Sequence, residues 1–455
     1  MAAVSDTAFL ASLRSKIILV RQRGCRTMYL QISARSRDLI STENKRTWPI
    51  SRGWAIIWAS FFTTAFASGG SQYGFGMFVE PLEQEFGWTR TQINLSLSIG
   101  LISGLLSPLI GWGVDKYGSR VIMTVSLLIV AASFLLRAGM TELWQWYALS
   151  ALLAIGFPGT FLPIGKLVGT WFPATRGRMM GTAITGNNVF GLVGVPLMSL
   201  VIQTEGWRLA YAIIGGGVLI VAVAVWFIVR SAPVSENSAL DGSTQINETA
   251  ISSGDYSLRE AINTRKFWLL LAGVTCAGFS YPSFMTQLIP HMQSVGWSSS
   301  KATLVLTVLA GTALASKVSW GLLSERLTAR LSFVIAILIM SSGVILVTLA
   351  GSSTLVWPAI IYFGAGFGGI GPLMSLVVME TFGIRNFGSI QGVVTMVLAT
   401  VPVLIGPILA GSLFDLTGSY ETSFWIVSGI FALGGISVLL VHVKSDLSVE
   451  EPVQD

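Results

Sequence analysis

The sequence predicts an all-α membrane protein: twelve transmembrane helices in two pseudo-symmetric six-helix bundles. Three observations carry this reading. Apolar residues make up 52% of the 455 and charged residues only 11%, with mean hydropathy +0.70, where a soluble domain carries about 25% charged residues. A water-soluble core could not hide that much hydrocarbon surface, so lipid is the solvent for most of the chain. Windows of about 20 apolar residues also recur along its length. Finally, the chain repeats itself. Gly111 to Arg120 reads GWGVDKYGSR and Gly321 to Arg330 reads GLLSERLTAR, which sets Gly111 against Gly321, Asp115 against Glu325, Lys116 against Arg326 and Arg120 against Arg330. Pro81 and Pro290, Gly87-Trp88 and Gly296-Trp297, Gly156-Phe157 and Gly366-Phe367, Phe172 and Phe382, Pro196 and Pro407, and Gly206 and Gly418 follow at nearly the same offset. Ordered matches at one period mean a duplicated half. Parallel halves in a hydrophobic chain suit a secondary transporter, which rocks two similar bundles about one site.

The first half supplies helix windows at 54–80, 91–113, 121–140, 146–172, 178–204 and 208–229. The second supplies 266–292, 300–323, 331–350, 355–380, 388–414 and 422–443. Short polar turns separate the windows. Pro158, Pro163, Pro196, Pro282, Pro372, Pro402 and Pro407 fall inside them, which membrane helices tolerate where neighbours satisfy the freed backbone groups. The organisation read from this is a basic cytoplasmic tail (1–50), a first six-helix bundle (51–230), a cytoplasmic linker (231–264), a second bundle (265–445) and a short cytoplasmic tail (446–455). The linker is Ser-, Asn- and Gly-rich with mixed charge. Residues 1–50 are Arg- and Ser-rich. They fit a disordered tail, a transit peptide with a basic amphipathic helix over Phe9 to Val20, or an extended start ahead of Met28.

The basic residues orient the chain. With the N-terminus cytoplasmic, 22 of the 28 Lys and Arg fall inside, and only Arg90, Arg137, Arg208 and Lys301 fall at or near the outer side. Both termini are therefore expected in the cytoplasm, with the plasma membrane as the location. The net charge of +6 is a topology signal and no evidence for nucleic acid. Cys25 and Cys276 give no disulfide framework, and with only His291 and His442 there is no metal-ligand spacing. No phosphate-cradling Gly loop with Lys-Ser/Thr occurs, which argues against ATP-driven transport. No catalytic constellation and no cofactor is expected; the chain reads as a monomeric carrier rather than an enzyme.

The loop Gly111 to Arg120 resembles the signature loop of the major facilitator superfamily, and the resemblance extends over residues 50 to 445. Gly111 and Gly118 allow close packing and a tight turn. Asp115 can accept from a neighbouring helix N-terminus, where the dipole favours negative charge. Ser119 stands where the family has a second base, and Thr328 replaces the second glycine in the repeat copy. The resemblance implies a latch: Gly111, Asp115, Lys116, Gly118, Arg120, Glu325, Arg326 and Arg330 would hold the bundles together on the cytoplasmic side while the site faces out. Gly53-Trp54, FGWTR (Phe86 to Arg90), WFPATRGRMMG (Trp171 to Gly181) and SLREAINTRKFW (Ser257 to Trp268) are similar to the oxalate/formate antiporter and monocarboxylate transporter-like branch. That branch implies small organic anions, coupled to protons or exchanged for another anion.

An ionisable group deep in a span costs at least about 2.5 kcal/mol, so each is a functional candidate. Lys317 lies in the eighth window, four residues before Gly321. In the resembling branch this offset carries an Arg that pairs the substrate carboxylate; a Lys keeps the charge and loses the bidentate fork. The alternative is a lysine snorkelling to the headgroups. The animal members place an Asp one turn earlier, here Ala313, and a Lys in the first helix, where the closest alignment gives Gln72. Proton coupling by the family route is therefore in question, and Glu380 is the remaining proton-coupling candidate, or else a salt-bridge partner of Arg385 or Arg178. Lys166 reads equally as substrate contact, snorkel or structural pair. Tyr73, Asn187, Asn188, Gln287, Tyr281 and Gln72 complete the substrate pocket as neutral polar groups at mid-membrane, with Gln391 nearby. Two other functions stay open: proton-driven efflux of amphipathic compounds, which needs an embedded acid, and a non-transporting membrane sensor on the same fold.

Overall fold

In a computed structural model, residues 50–230 and 255–441 are described; the sequence readings for residues 1–49, the first part of the linker and the C-terminal tail lie outside them. Every regular element among the described residues is helical. α1 (Ile50–Thr63) continues through a π-helical stretch, Thr64–Gly69, into Gly70–Gln72, breaks at Tyr73–Gly74 and resumes as α2 (Phe75–Phe86). Then come α3 (Arg90–Tyr117), α4 (Ser119–Arg137), α5 (Leu143–Trp171), α6 (Arg176–Glu205) and α7 (Trp207–Ile228). The second half holds a short α8 (Leu258–Ile262), α9 (Arg265–Ser294), α10 (Ser299–Arg326), α11 (Ala329–Ala350), α12 (Val356–Phe382), α13 (Phe387–Thr417) and α14 (Glu421–Leu439). Eleven of these are long and apolar enough to cross a membrane. The broken α1–α2 supplies the remaining span.

Local chemistry sets the boundaries. Thr89 with Gln92, Glu142 with Gln145, and Ser257 with Glu260 form capping boxes, each satisfying orphan N–H groups of a first turn. Gly87 and Gly418 close α2 and α13 with φ of 67° and 69°, a left-handed conformation that glycine adopts without a Cβ penalty. Three π-helical stretches interrupt the spans, at Thr64–Gly69, Phe190–Gly194 and Ser280–Met285. Such bulges gather at functional sites, and here the first two flank Gln72-Tyr73 and Asn187-Asn188.

The two halves meet along α3 with α13 and α6 with α10. Glycines allow that approach. A methyl on Gly111 would strike the Gly388 carbonyl and one on Gly177 the Gly321 carbonyl, and the reverse holds for Gly388 and Gly321. Gly177 and Gly181, like Gly388 and Gly392, are spaced four apart, the small-xxx-small pattern that brings membrane helices into backbone contact.

The described end of the expected linker, residues 255–264, makes distant contacts. Asp255 Oδ1 accepts from the Ile384 and Arg385 amides at 3.1 and 3.4 Å, and Tyr256 N donates to Phe382 O at 3.1 Å. Residues 255–264 are thus seated against the α12–α13 connection. Short polar segments that bond to a loop far away in sequence carry no local signal of doing so.

Candidate functional site: a lysine in a neutral polar network

Lys317 sits on α10 with 9% of its surface exposed. Its Nζ donates to Asn188 Oδ1 of α6. Asn188 Nδ2 donates onward to the Tyr73 hydroxyl at 3.2 Å, and Asn187 Nδ2 donates to Gln72 Oε1 at 3.2 Å. One polar layer therefore crosses from α1 through α6 to α10, joining both halves. Asn187 Oδ1 is buried without a hydrogen-bond partner, an acceptor left for a ligand or water to satisfy.

Position on the helices explains why these side chains meet. A methyl on Gly181 would contact Lys317 O, so α6 and α10 are closest where the lysine leaves its backbone. One turn on, Trp320 Nε1 donates to Ala365 O of α12 at 2.5 Å, fixing α10 against the third helix. Ala313, one turn before, is buried beside Gly368. No ion pair among the described residues includes Lys317. Of the other expected pocket residues, Gln287 is half-buried on α9 and is not tied into this layer, the side chain of Tyr281 lies outside what is described, and Gln391 is fully buried with Nε2 3.4 Å from Thr395 Oγ1.

The repeated motifs lie together at one end of the molecule, called here the motif face. Asp115 accepts from Gly388 N at 3.1 Å and from Ser389 N and Oγ at 2.7 Å each, and pairs with Lys166 Nζ at 2.7 Å. Its carboxylate thus caps the N-terminus of α13 in the other half, where the dipole is positive. Glu325 does the same in reverse, accepting from Arg178 N near the start of α6 at 2.9 Å, with Arg178 Nε at 3.9 Å. The remaining motif residues stay within their own halves. Lys116 lies over Trp112 at 4.5 Å and Arg120 over Trp226 at 4.1 Å. Arg330 Nη1 donates to Val441 O, Arg326 is exposed, and Gly118 turns the chain at φ 85°.

The structure gives Glu380 and Lys166 definite partners. Glu380 is no mid-membrane group: it sits in the last turn of α12, accepts from Ala329 N and Arg330 N at 3.0 and 3.2 Å, and lies 4.0 Å from Arg176 Nη2. Its oxygens cap the start of α11. Lys166 belongs to the Asp115 cluster and also donates to Arg385 O at 3.3 Å. Sequence reasoning left its role open because its partners lie 51 and 219 residues away.

Farther from the network, at the end of α4, Arg137 is buried among Trp146, Tyr211 and Phe134 at 4.5, 5.6 and 5.7 Å and donates to Ser150 Oγ at 3.0 Å. The aromatic faces and one hydroxyl compensate this charge, so it anchors helices and does not face the layer.

Known proteins are similar to this chain over most of its length. The rat (Rattus norvegicus) Monocarboxylate transporter 2 is 28% identical over 421 residues, covering 86% of this chain and 82% of its own. The human (Homo sapiens) Monocarboxylate transporter 1 is 25% identical over 434 residues, 85% of each. Among solved structures, the transporter FucP in its outward conformation superimposes with a TM-score of 0.68 at 18% identity, covering 87% of this chain and 100% of that one. The proton:xylose symporter XylE does so at 0.65 and 14%, over 86% and 96%. The family model described as Major Facilitator Superfamily matches residues 61–404. With its doubled motifs, paired helix caps and membrane-spanning helices, the chain belongs to the Major Facilitator Superfamily.

Proposed function

We propose that this transporter is a secondary carrier of small organic anions, monocarboxylates foremost, working by alternating access with proton coupling or anion exchange. One observation carries the reading: a buried ammonium, Lys317, held by the neutral amide of Asn188 at the junction of the halves, with no carboxylate against it among the described residues. An uncompensated charge in that setting is costly, and a carboxylate guest offsets the cost by accepting from the Lys317 ammonium. The relatives named for monocarboxylates support the substrate class.

The paired caps support the gate. With Asp115 and Glu325 each holding a helix start of the opposite half, the motif face is held shut, the state in which an alternating-access carrier presents its site to the other side. The basic-residue asymmetry supports a cytoplasmic motif face in a plasma-membrane carrier, with 51–230 and 265–445 as the rocking bundles. Efflux of amphipathic compounds has less support, since Glu380, the acid it would draw on, caps α11.

The test is uptake into proteoliposomes with a panel of labelled mono- and dicarboxylates, with and without an inward proton gradient. Saturable uptake of a monocarboxylate that Lys317→Gln abolishes is expected. Uptake of none of the panel, or unchanged affinity in Lys317→Gln, refutes the reading.

A further inference from the structure

Among the described residues, the surroundings of Lys317 stay neutral beyond Asn188 as well. The helices packed on α10 carry ionisable groups, all engaged elsewhere or near helix ends. On α6 these are Arg176, beside Glu380, Arg178, beside Glu325, and Glu205 in the last turn. On α9 they are Arg265 and Lys266 in the first turn, Cys276, against Gly434 of α14, and His291, edge-on to Phe424; the side chain of Tyr281 lies outside what is described. On α11 it is Arg330, bonded to Val441, and on α12 they are Tyr362, bonded to Ser342, and Glu380, capping α11. From α10 itself, Lys301 lies in the first turn and Glu325 and Arg326 in the last. Tyr73 reaches the lysine through Asn188.

That arrangement bears on the return stroke. Loaded with a carboxylate, the site is neutral. Empty, a permanently charged site must carry an unpaired cation through the closed intermediate, which low dielectric opposes. A lysine can give its proton to water, and an arginine cannot. A fixed carboxylate beside Lys317 would hold the ammonium in every state, but Asn188 does not: an amide offers an acceptor to –NH3+ and, turned over, a donor to the lone pair of –NH2.

Resting on the anion-carrier reading, we propose that Lys317 carries the coupling proton as well as the anion. The ammonium binds the carboxylate on one face. On the other the pair dissociates, the anion leaves, and R–NH3+ becomes R–NH2 plus a proton released to the same water. The neutral amine, held by Asn188, returns. One anion and one proton cross per cycle with no net charge moved, and the carrier needs no separate acid.

The test uses purified full-length chain in proteoliposomes with labelled acetate, pyruvate and lactate. Two fluxes are measured: exchange between equally loaded sides, and net uptake into empty vesicles driven by a proton gradient with the voltage clamped. Wild type is expected to show both, with one proton entering per anion and no response to imposed voltage. Lys317→Arg should keep exchange but lose net uptake by at least about a hundredfold, since less than roughly one arginine in 10⁵ is neutral at pH 7. Lys317→His should restore net uptake with its pH dependence displaced toward acid, because a histidine releases its proton near pH 6.5. Net proton-coupled uptake that survives in Lys317→Arg overturns the proposal, as does wild type that only exchanges. If Lys317→Arg is inactive in both assays, the histidine variant decides: an undisplaced pH profile overturns the proposal. Failure of all three anions to be transported, or normal exchange by Lys317→Gln, strikes the anion-carrier reading itself.

Discussion

Replacing Asp115 by Asn isolates the gate. The native carboxylate takes four donors: Lys166 Nζ, Gly388 N, Ser389 N and Ser389 Oγ, at 2.7 to 3.1 Å. Asparagine keeps one acceptor oxygen, presents an NH2 to two of those donors, and removes the charge from all four. Hydrogen bonds to a charged group contribute about 1.5–3 kcal/mol and neutral ones about 1. The closed motif face should therefore weaken by roughly 2–4 kcal/mol after relaxation, which shifts its open-to-closed ratio by roughly 30- to 1,000-fold. Ala174 and Leu327 line a cleft at that face between the halves. With Cys25 and Cys276 changed to Ser, cysteines placed there should react with a membrane-impermeant maleimide faster in Asp115→Asn, and turnover should fall because the outward state is depopulated. Lys116→Gln is the control, since Lys116 stacks on Trp112 in its own half. Labelling unchanged by Asp115→Asn, or raised equally by Lys116→Gln, refutes the latch.

Steric and electrostatic arguments give two further expectations. Gly177→Ala sets a methyl on the Gly321 carbonyl, so the halves must part or strain by about 1–3 kcal/mol, and the same maleimide labelling should rise; labelling equal to wild type refutes it. At the opposite face, burial pushes the Glu85 carboxyl up, but hydrogen bonds from Trp207 and Arg208 and the Arg208 charge outweigh it and hold the group below its ordinary range. A carboxyl lowered by folding stabilises above its unfolded value and loses that contribution as pH falls through its folded value. Wild type should thus melt above Glu85→Gln at pH 7 and converge with it in acid; a gap independent of pH refutes the pairing.

What the sequence reveals here follows from the range of each interaction. The duplication was legible because it is written in residue identities, and the spans because lipid imposes a length on apolar runs. Lys317 stood out for the same reason, as a charge inside such a run. The direction of its side chain was not legible, because Asn188 lies 129 residues away on another helix. Glu380 shows the limit of hydropathy: the reading ended the tenth span at 380, and α12 ends at Phe382, so the acid fell on a boundary where a window cannot separate membrane interior from helix cap. The partners of Lys166 and Asp255 were not legible for a related reason. Each bonds the 384–385 connection, more than 100 residues away, and nothing in the intervening chain records that proximity.

The two latches are unequal, and the inequality connects site to gate. Asp115 is held by four donors with its side chain 10% exposed, whereas Glu325 takes one backbone amide at 2.9 Å and a guanidinium at 3.9 Å whose side chain is 47% exposed. An exposed ion pair contributes little, typically 0–1 kcal/mol, so the Glu325 side of the motif face holds less tightly. That weaker latch joins α6 to α10, the same helices that share the Asn188–Lys317 bond and the Gly181 contact. Lys317 and Glu325 are eight residues apart on one helix, about 12 Å along its axis. A guest that takes Lys317 from Asn188 removes a tie between α6 and α10 at the site, leaving that pair joined at the motif face chiefly by its less tightly held cap. The α3–α13 pair keeps Asp115 and its four donors, so on the proposed carrier reading opening of the motif face is expected to begin on the side that carries the lysine.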